Sequence, residues 1–292
     1  MWPLGSISGK VKLPDDQLVL ILYSQDHRGR RQFAALAPND PKLAYFYVQD
    51  IAHLKPIERV TTDRSKPWIV KWIKENNKAN QGSAVSIGYP KADKVVLLGG
   101  GTITTQQLEK AMELQSEGYT LVSVGKSLLR SPDYHVHCDP VVFDWWDQVD
   151  TSKVNLYCST NISPKLVDRE WKSTGWFSTN GYGVKFPNIP IHHSAESVAM
   201  DALQFVFGQL SAQKIIALGF DHLPDMNENV YLWAGLTFQA YCFWYSRAGK
   251  EIWNCTPGGT VTGCFLGTID DASKVIKVKN GTNRKSCKVV HC

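Results

Sequence analysis

Residues 95–98 read Val-Val-Leu-Leu, three consecutive glycines follow, and Thr104 stands three residues ahead of Gln107. A continuous apolar run of that length suits a strand covered on both faces. Glycines at its end permit a sharp turn and let another group come close to the backbone. Thr104 with Gln107 is a capping box for a helix start. Leu108, Ala111, Met112 and Gln115 predict the inner stripe of that helix, and Gly118 its stop. Residues 120–124 supply a second strand. Strand, helix and strand within about thirty residues form a βαβ unit. Its two strands must be parallel, because the connection crosses over.

The alternation continues to residue 255. Strands are predicted over residues 134–138, 154–158, 214–218 and 251–255. Ser194 is predicted to cap a helix with Val198, Ala199, Ala202, Leu203, Val206 and Leu210 facing inward, and a second helix covers 230–247, with Gly249 as its stop. The fold class that follows is α/β, a doubly wound and mainly parallel sheet. In such sheets ligands sit beyond the carboxyl ends of the strands. Polar and glycine-rich clusters occupy those ends at 99–104, 125–127, 139–140, 159–161, 219–222 and 256–259. Their convergence on one rim is the main physical argument for a site.

Residues 1–90 read differently. Short strands are predicted at 18–23, 33–36 and 43–48, a helix at 68–75 and a polar linker at 76–83. This gives three parts: an N-terminal accessory region (1–90), the α/β domain (91–270) and a basic tail (271–292). In the tail, residues 272–292 hold Lys274, Lys277, Lys279, Arg284, Lys285 and Lys288 and no acidic residue. No aromatic side chain is interleaved there, so a solvated tail is the preferred reading over a nucleic-acid contact. No run of eighteen apolar residues and no signal peptide is evident, so no membrane span is expected and the cytoplasm is the default location. The seven cysteines include no C-x-x-C pair. Cys138, Cys158 and Cys255 are expected as buried reduced thiols, with no metal held by cysteine.

The candidate chemistry lies on the rim. Gly99, Gly100 and Gly101, between a buried strand and a capped helix, suit an anion, because helix-start amides and the helix dipole favour negative charge. Neither the P-loop nor the G-x-G-x-x-G fingerprint is present. Lys126 is a candidate phosphate contact and Ser127 a candidate base or sugar contact. Asp139 follows His135 and His137 on one strand face, where packed or solvent-facing histidines are preferred over a metal site. Ser197 is placed to meet a hydroxyl-bearing group. His192 and His193 are candidate general bases, and in extended chain at most one of them faces a given site. Asp221 and His222 end a strand, where a carboxylate can bind a sugar hydroxyl, orient a base or reach magnesium. No G-x-S-x-G occurs and no glycosidase-like carboxylate pair can be assigned.

Leu-Leu-Gly-Gly-Gly-Thr (97–102) followed by Ser-Pro-Asp-Tyr-His-Val-His-Cys-Asp-Pro (131–140) resembles the signature of MptE-like proteins. That family includes archaeal 6-hydroxymethylpterin diphosphokinases and the motility accessory factor glycosyltransferases. Ser197-Val198-Ala199, Lys-Ile-Ile-Ala-Leu-Gly-Phe-Asp (214–221) and Asn254-Cys255-Thr256-Pro257-Gly258-Gly259 are similar to its second half. The same order resembles bacterial sialyltransferases with a Rossmann-like fold. The resemblance spans residues 91–270 and implies that Gly100, Gly101, Asp139, Ser197 and Asp221 line the site. Thr102 or Thr104 stands in for a family serine contact, and residues 223–250 lack the lid histidine of the sialyltransferases. The implied activity is transfer of a sugar from a nucleotide sugar to an unknown acceptor. The alternatives are diphosphate transfer from ATP to a pterin-like alcohol with Mg2+, and a non-enzymatic binding or structural module on a degenerate transferase fold. A homo-oligomer is left open.

Overall fold

The computed structural model describes residues 9–12, 18–27, 30–36, 44–47, 55–56 and 67–274, except 141–143, 180–185, 187, 193–196, 221–227 and 259–263. The early strands β1 (Gly9–Lys12), β2 (Leu18–His27), β3 (Arg30–Leu36), β4 (Ala44–Tyr47) and β5 (Lys55–Pro56) form a five-stranded sheet in the order β4-β3-β2-β1-β5. Every pairing in it is antiparallel, with a register shift between Ile21 and Tyr23.

The remaining strands are β6 (Lys94–Leu98), β7 (Thr120–Val124), β8 (Tyr134–His137), β9 (Asn155–Ser159), β10 (Ser173–Thr179), β11 (Ile191–His192), β12 (Lys214–Leu218), β13 (Glu251–Asn254) and β14 (Phe265–Leu266). They form a nine-stranded sheet in the order β11-β10-β9-β8-β7-β6-β12-β13-β14. The expectation of a mainly parallel sheet is met in full, since every pairing is parallel. The chain walks outward from β6 to β11, then returns to the other side of β6 to lay down β12. The strand order therefore reverses between β6 and β12.

Successive strand side chains point to opposite faces, and here both faces are covered. Val95 and Leu97 of β6 pack with Ala202, Leu203 and Val206 on one face. Val96 and Leu98 pack with Ala111 and Leu114 on the other. A third cluster, built on Leu156, Cys158 and Trp176, covers the β9–β10 end with Trp146 and Leu166. This two-sided burial is why the strand sequences are apolar without alternation. Cys138, Cys158 and Cys255 are buried, as the sequence predicts.

Three local expectations change. Helix α1 runs Pro67–Asn80, so most of the expected linker is helical. Its asparagines serve tertiary contacts instead: Asn80 Nδ2 donates to the Thr160 and Ile162 carbonyls at 3.0 and 2.9 Å, and Asn77 Nδ2 to Asn161 Oδ1 at 2.9 Å. Helix α2 (Thr105–Ser116) has the expected capping box, but its buried residues are Ala111 and Leu114, while Met112 is 39% exposed. The Gln107 side chain donates to the Cys255 carbonyl at 2.6 Å. That bond turns the face carrying residue 107 inward, and Ala111 and Leu114, four and seven residues further on, lie on the same face. After the short α3 (Pro164–Val167), helix α4 (Val198–Gln204) is capped by Ser197 rather than Ser194, which lies outside the described residues. It continues as a π turn, Phe205–Gln209, and is buried on most of its circumference rather than on one stripe. The sheet lies on one side of it and α5 (Glu228–Arg247) on another. The chain ends its described part in α6 (Ile269–Lys274). Among the described residues, no helix is long and apolar enough to cross a membrane.

Candidate functional site

The strand order reverses between β6 and β12, and open parallel sheets of this kind take their ligands at the carboxyl ends of the strands beside such a reversal. There the two chains are stitched together. Gly99 N donates to the Leu218 carbonyl at 2.7 Å, and Gly101 N to the Gly219 carbonyl at 2.9 Å. A Cβ on Gly99 would lie 2.3 Å from the Gly219 oxygen, so only glycine permits this approach. Gly219 takes φ +74°, the left-handed region that favours glycine. One strand further on, Phe220 N donates to Thr256 Oγ1 at 2.9 Å and Thr256 N to Asn254 Oδ1 at 3.1 Å. The ends of β6, β12 and β13 thus form one rigid rim.

The expected contact residues divide into three groups. Gly99 is buried and structural, whereas Gly100, Gly101, Thr102 and Thr104 are exposed. A Cβ on Gly100 would meet nothing within 4 Å. Thr104 accepts from Gln107 N at 3.2 Å, and Thr104 N donates to Gln107 Oε1 at 3.0 Å. The next two amides, Thr105 and Gln106, have no partner inside the helix by its geometry. Lys126 is exposed beside this loop, and the buried Ser127 donates its hydroxyl proton to the Gly99 carbonyl. These residues form one patch.

The second group lies across the sheet. Asp139 is half-buried beyond β8, and half-buried Ser197 caps α4 by accepting from Ala199 N at 3.3 Å. His192, on the edge strand β11, is 3% exposed. Five strand steps separate β11 from β6, roughly 24 Å at about 4.8 Å per strand. His192 Nε2 lies 3.0 Å from the Tyr157 hydroxyl, and Nδ1 lies 3.4 Å from Asp201 Oδ1. The third group, His193, Asp221 and His222, lies outside the described residues.

His135 and His137 are packed. Both are buried, their rings stack at 5.8 Å, and both meet the edge of Trp146. His135 Nδ1 is 2.8 Å from Ser123 Oγ. Burial, then the neighbouring His137, holds the His135 imidazole well below its ordinary range. Among the described residues, no group of three or more His, Cys, Asp or Glu side chains is placed to hold a metal ion. A cleft of about 840 Å³ borders the rim on its β13 side, lined by Thr104, Gln107, Glu109, Thr256, Gly258 and Asp270 among others. Among the described residues, Thr104 is the expected contact residue that reaches it.

Comparison with known proteins agrees with this architecture. The fold is similar to that of the MAf glycosyltransferase from Magnetospirillum magneticum AMB-1. The likeness has a TM-score of 0.56 at 13% sequence identity, and it covers 72% of this chain and 39% of that one. At that identity the likeness is one of fold, and the chain corresponds to well under half of that protein's length. No family model and no curated protein sequence matches. The similarity to sialyltransferases is carried by sequence motifs alone.

Sequence reasoning passed over Asp201, Tyr157 and the asparagines of α1. A signal for Asp201 was present: it is the one charged residue in Ser-Val-Ala-Met-Asp-Ala-Leu-Gln-Phe-Val-Phe (197–207). A lone carboxylate in a helix apolar on every side has to be met by a partner.

Proposed function

We propose that the chain is a transferase that takes a sugar from a nucleotide-activated donor at the β6/β12 rim. The observation that carries this is the exposed Gly100–Thr104 loop running into the N-terminus of α2 at the point where strand order reverses. Free helix-start amides there, with Lys126 beside them, can meet the negative charge that builds on a departing nucleotide. The fold likeness to a glycosyltransferase supports the same class. Gly99 and Ser127 hold the loop in shape, while Gly100, Gly101, Thr102 and Lys126 meet the donor phosphates. Asp139, Ser197 and Asp221 are assigned to donor or acceptor hydroxyls. With both ring nitrogens of His192 facing Tyr157 and Asp201, the acceptor base falls to His193 or His222.

The test is a thermal-shift screen against CMP-, UDP- and GDP-sugars and ATP. A ligand at one hundred times its Kd stabilises by about 2.7 kcal/mol, roughly 5–10 °C for a domain of this size. A shift with one nucleotide sugar, abolished by Gly100→Asp and accompanied by release of the free nucleotide, supports the proposal. No shift with any of the four removes it. Conversion of ATP to AMP that stops on adding a chelator would move the assignment to a magnesium-dependent diphosphokinase.

A further inference from the structure

Asp201 stands in the first turn of α4 at 0% exposure, and neither of its carboxylate oxygens accepts a hydrogen bond. A carboxylate taken wholly out of water costs several kcal/mol unless charge or donors meet it. His192 Nδ1 is 3.4 Å from Oδ1, and the phenols of Tyr157 and Tyr241 are its electrostatic neighbours. The start of α4 adds a favourable dipole.

His192 is held from three directions. Its ring stacks on Phe177 with centroids 4.3 Å apart, Nε2 faces the Tyr157 hydroxyl at 3.0 Å, and Nδ1 faces the carboxylate. Burial, then Tyr89 and Asp201, push the Tyr157 phenol far above its ordinary range, so this hydroxyl keeps its proton. An ionised carboxylate can only accept. A proton on Nδ1 is the arrangement that turns a donor towards Asp201 Oδ1, 3.4 Å away, and it leaves Nε2 to accept from the Tyr157 hydroxyl at 3.0 Å.

We propose that Tyr157, His192 and Asp201 form one buried hydrogen-bonded chain, with a proton on His192 Nδ1 shared with Asp201, and that this chain positions the start of α4 at the rim. The topology gives the link its purpose. Strand β11 is two residues long and sits at the sheet edge, paired to β10 through Ser178–Ile191 and Thr179–His192. So short a strand has few backbone bonds to hold it. Ser197 lies between His192 and Asp201 in sequence, so the side-chain link brackets the residue that caps α4. His192 and Asp201 act as positioning residues. The tautomer stands on geometry alone, whereas the effect on a ligand rests on the nucleotide-donor reading above.

The experiment uses the full chain with 15N-labelled histidine. Long-range 1H–15N correlation should show His192, assigned by loss of its signals in His192→Gln, with Nδ1 protonated. A ring protonated on Nε2 alone would place the shared proton on Asp201 and overturn the hydrogen-bond direction. A second arm titrates CMP, UDP and GDP against wild type, Asp201→Asn and Tyr157→Phe. Asp201→Asn keeps the side-chain shape and an acceptor oxygen but removes the charge that strengthens the bond. A loss of about tenfold in nucleotide affinity with retained cooperative melting is expected for it, and a smaller loss for Tyr157→Phe. Unchanged affinity in folded Asp201→Asn would overturn the positioning role. If none of the three nucleotides binds wild type, the donor reading and the positioning role fall together, and the correlation spectrum still decides the buried chain.

Discussion

Replacing Gly99 with alanine tests whether the glycine loop is a packing device as well as a ligand loop. The added Cβ would sit 2.3 Å from the Gly219 oxygen, 2.8 Å from its carbonyl carbon and 3.0 Å from Phe220 Cε2. Two of those atoms are backbone, so no side-chain rotation relieves the clash. Relief to an ordinary contact requires the ends of β6 and β12 to part by about 1 Å, and overpacking of this kind costs about 1–3 kcal/mol. The same movement stretches the Gly99–Leu218 and Gly101–Gly219 hydrogen bonds, now 2.7 and 2.9 Å. Each is worth about 0.5–1.5 kcal/mol net. The sum is about 2–6 kcal/mol, a large share of the 5–15 kcal/mol by which domains are stable. Urea unfolding followed by circular dichroism measures it. Gly100→Ala is the control, since its Cβ meets nothing within 4 Å, and a change within about 0.5 kcal/mol is expected. Equal midpoints for the two variants would refute the reasoning.

Three other outcomes follow from the same geometry. Asn80→Ala leaves the buried Thr160 and Ile162 carbonyls without their donor and should cost about 2–3 kcal/mol in the same unfolding assay. His135, held low by burial and then by His137, cannot take the proton that the unfolded chain accepts below about pH 6.5. Stability should therefore be level above that pH and fall below it, and His135→Gln should flatten the acid slope in urea midpoints taken from pH 7.5 to 4.5. Cys255 is pushed up to about 12, by burial first, then by Asp271 and Cys264, from a reference of 9.0. Its contribution is complete below pH 9 and is lost as pH rises towards 12. A Cys255→Ala variant should show a shallower alkaline slope than wild type between pH 9 and 11, and no difference in slope would count against the buried thiol.

The fold was largely legible in the chain, for a physical reason. A strand buried on both faces is apolar at most positions, so β6, β7 and β12 announce themselves, and the Thr104–Gln107 box marks the helix that follows β6 from local chemistry alone. Strands β10, β11 and β14 escaped notice because their residues are mixed and they gain strand form from a neighbour's ladder. The α1 asparagines read as a linker, because a side-chain amide that satisfies a distant carbonyl looks the same in sequence as one that faces water.

The site divides along the same line. The sequence by itself determined the order of the rim clusters, the glycine turn and the helix that opens behind it, since each depends on residues within a few positions of one another. The tertiary structure decided what those residues are for. It set Gly99 against Gly219, 120 positions away, drew the Ser127 proton to the Gly99 carbonyl, and left Gly100 open. It also buried His192 between Tyr157 and Asp201. Partners brought together by chain reversal, and the charge a buried carboxylate needs, are properties of the packed sheet that no local stretch of sequence contains.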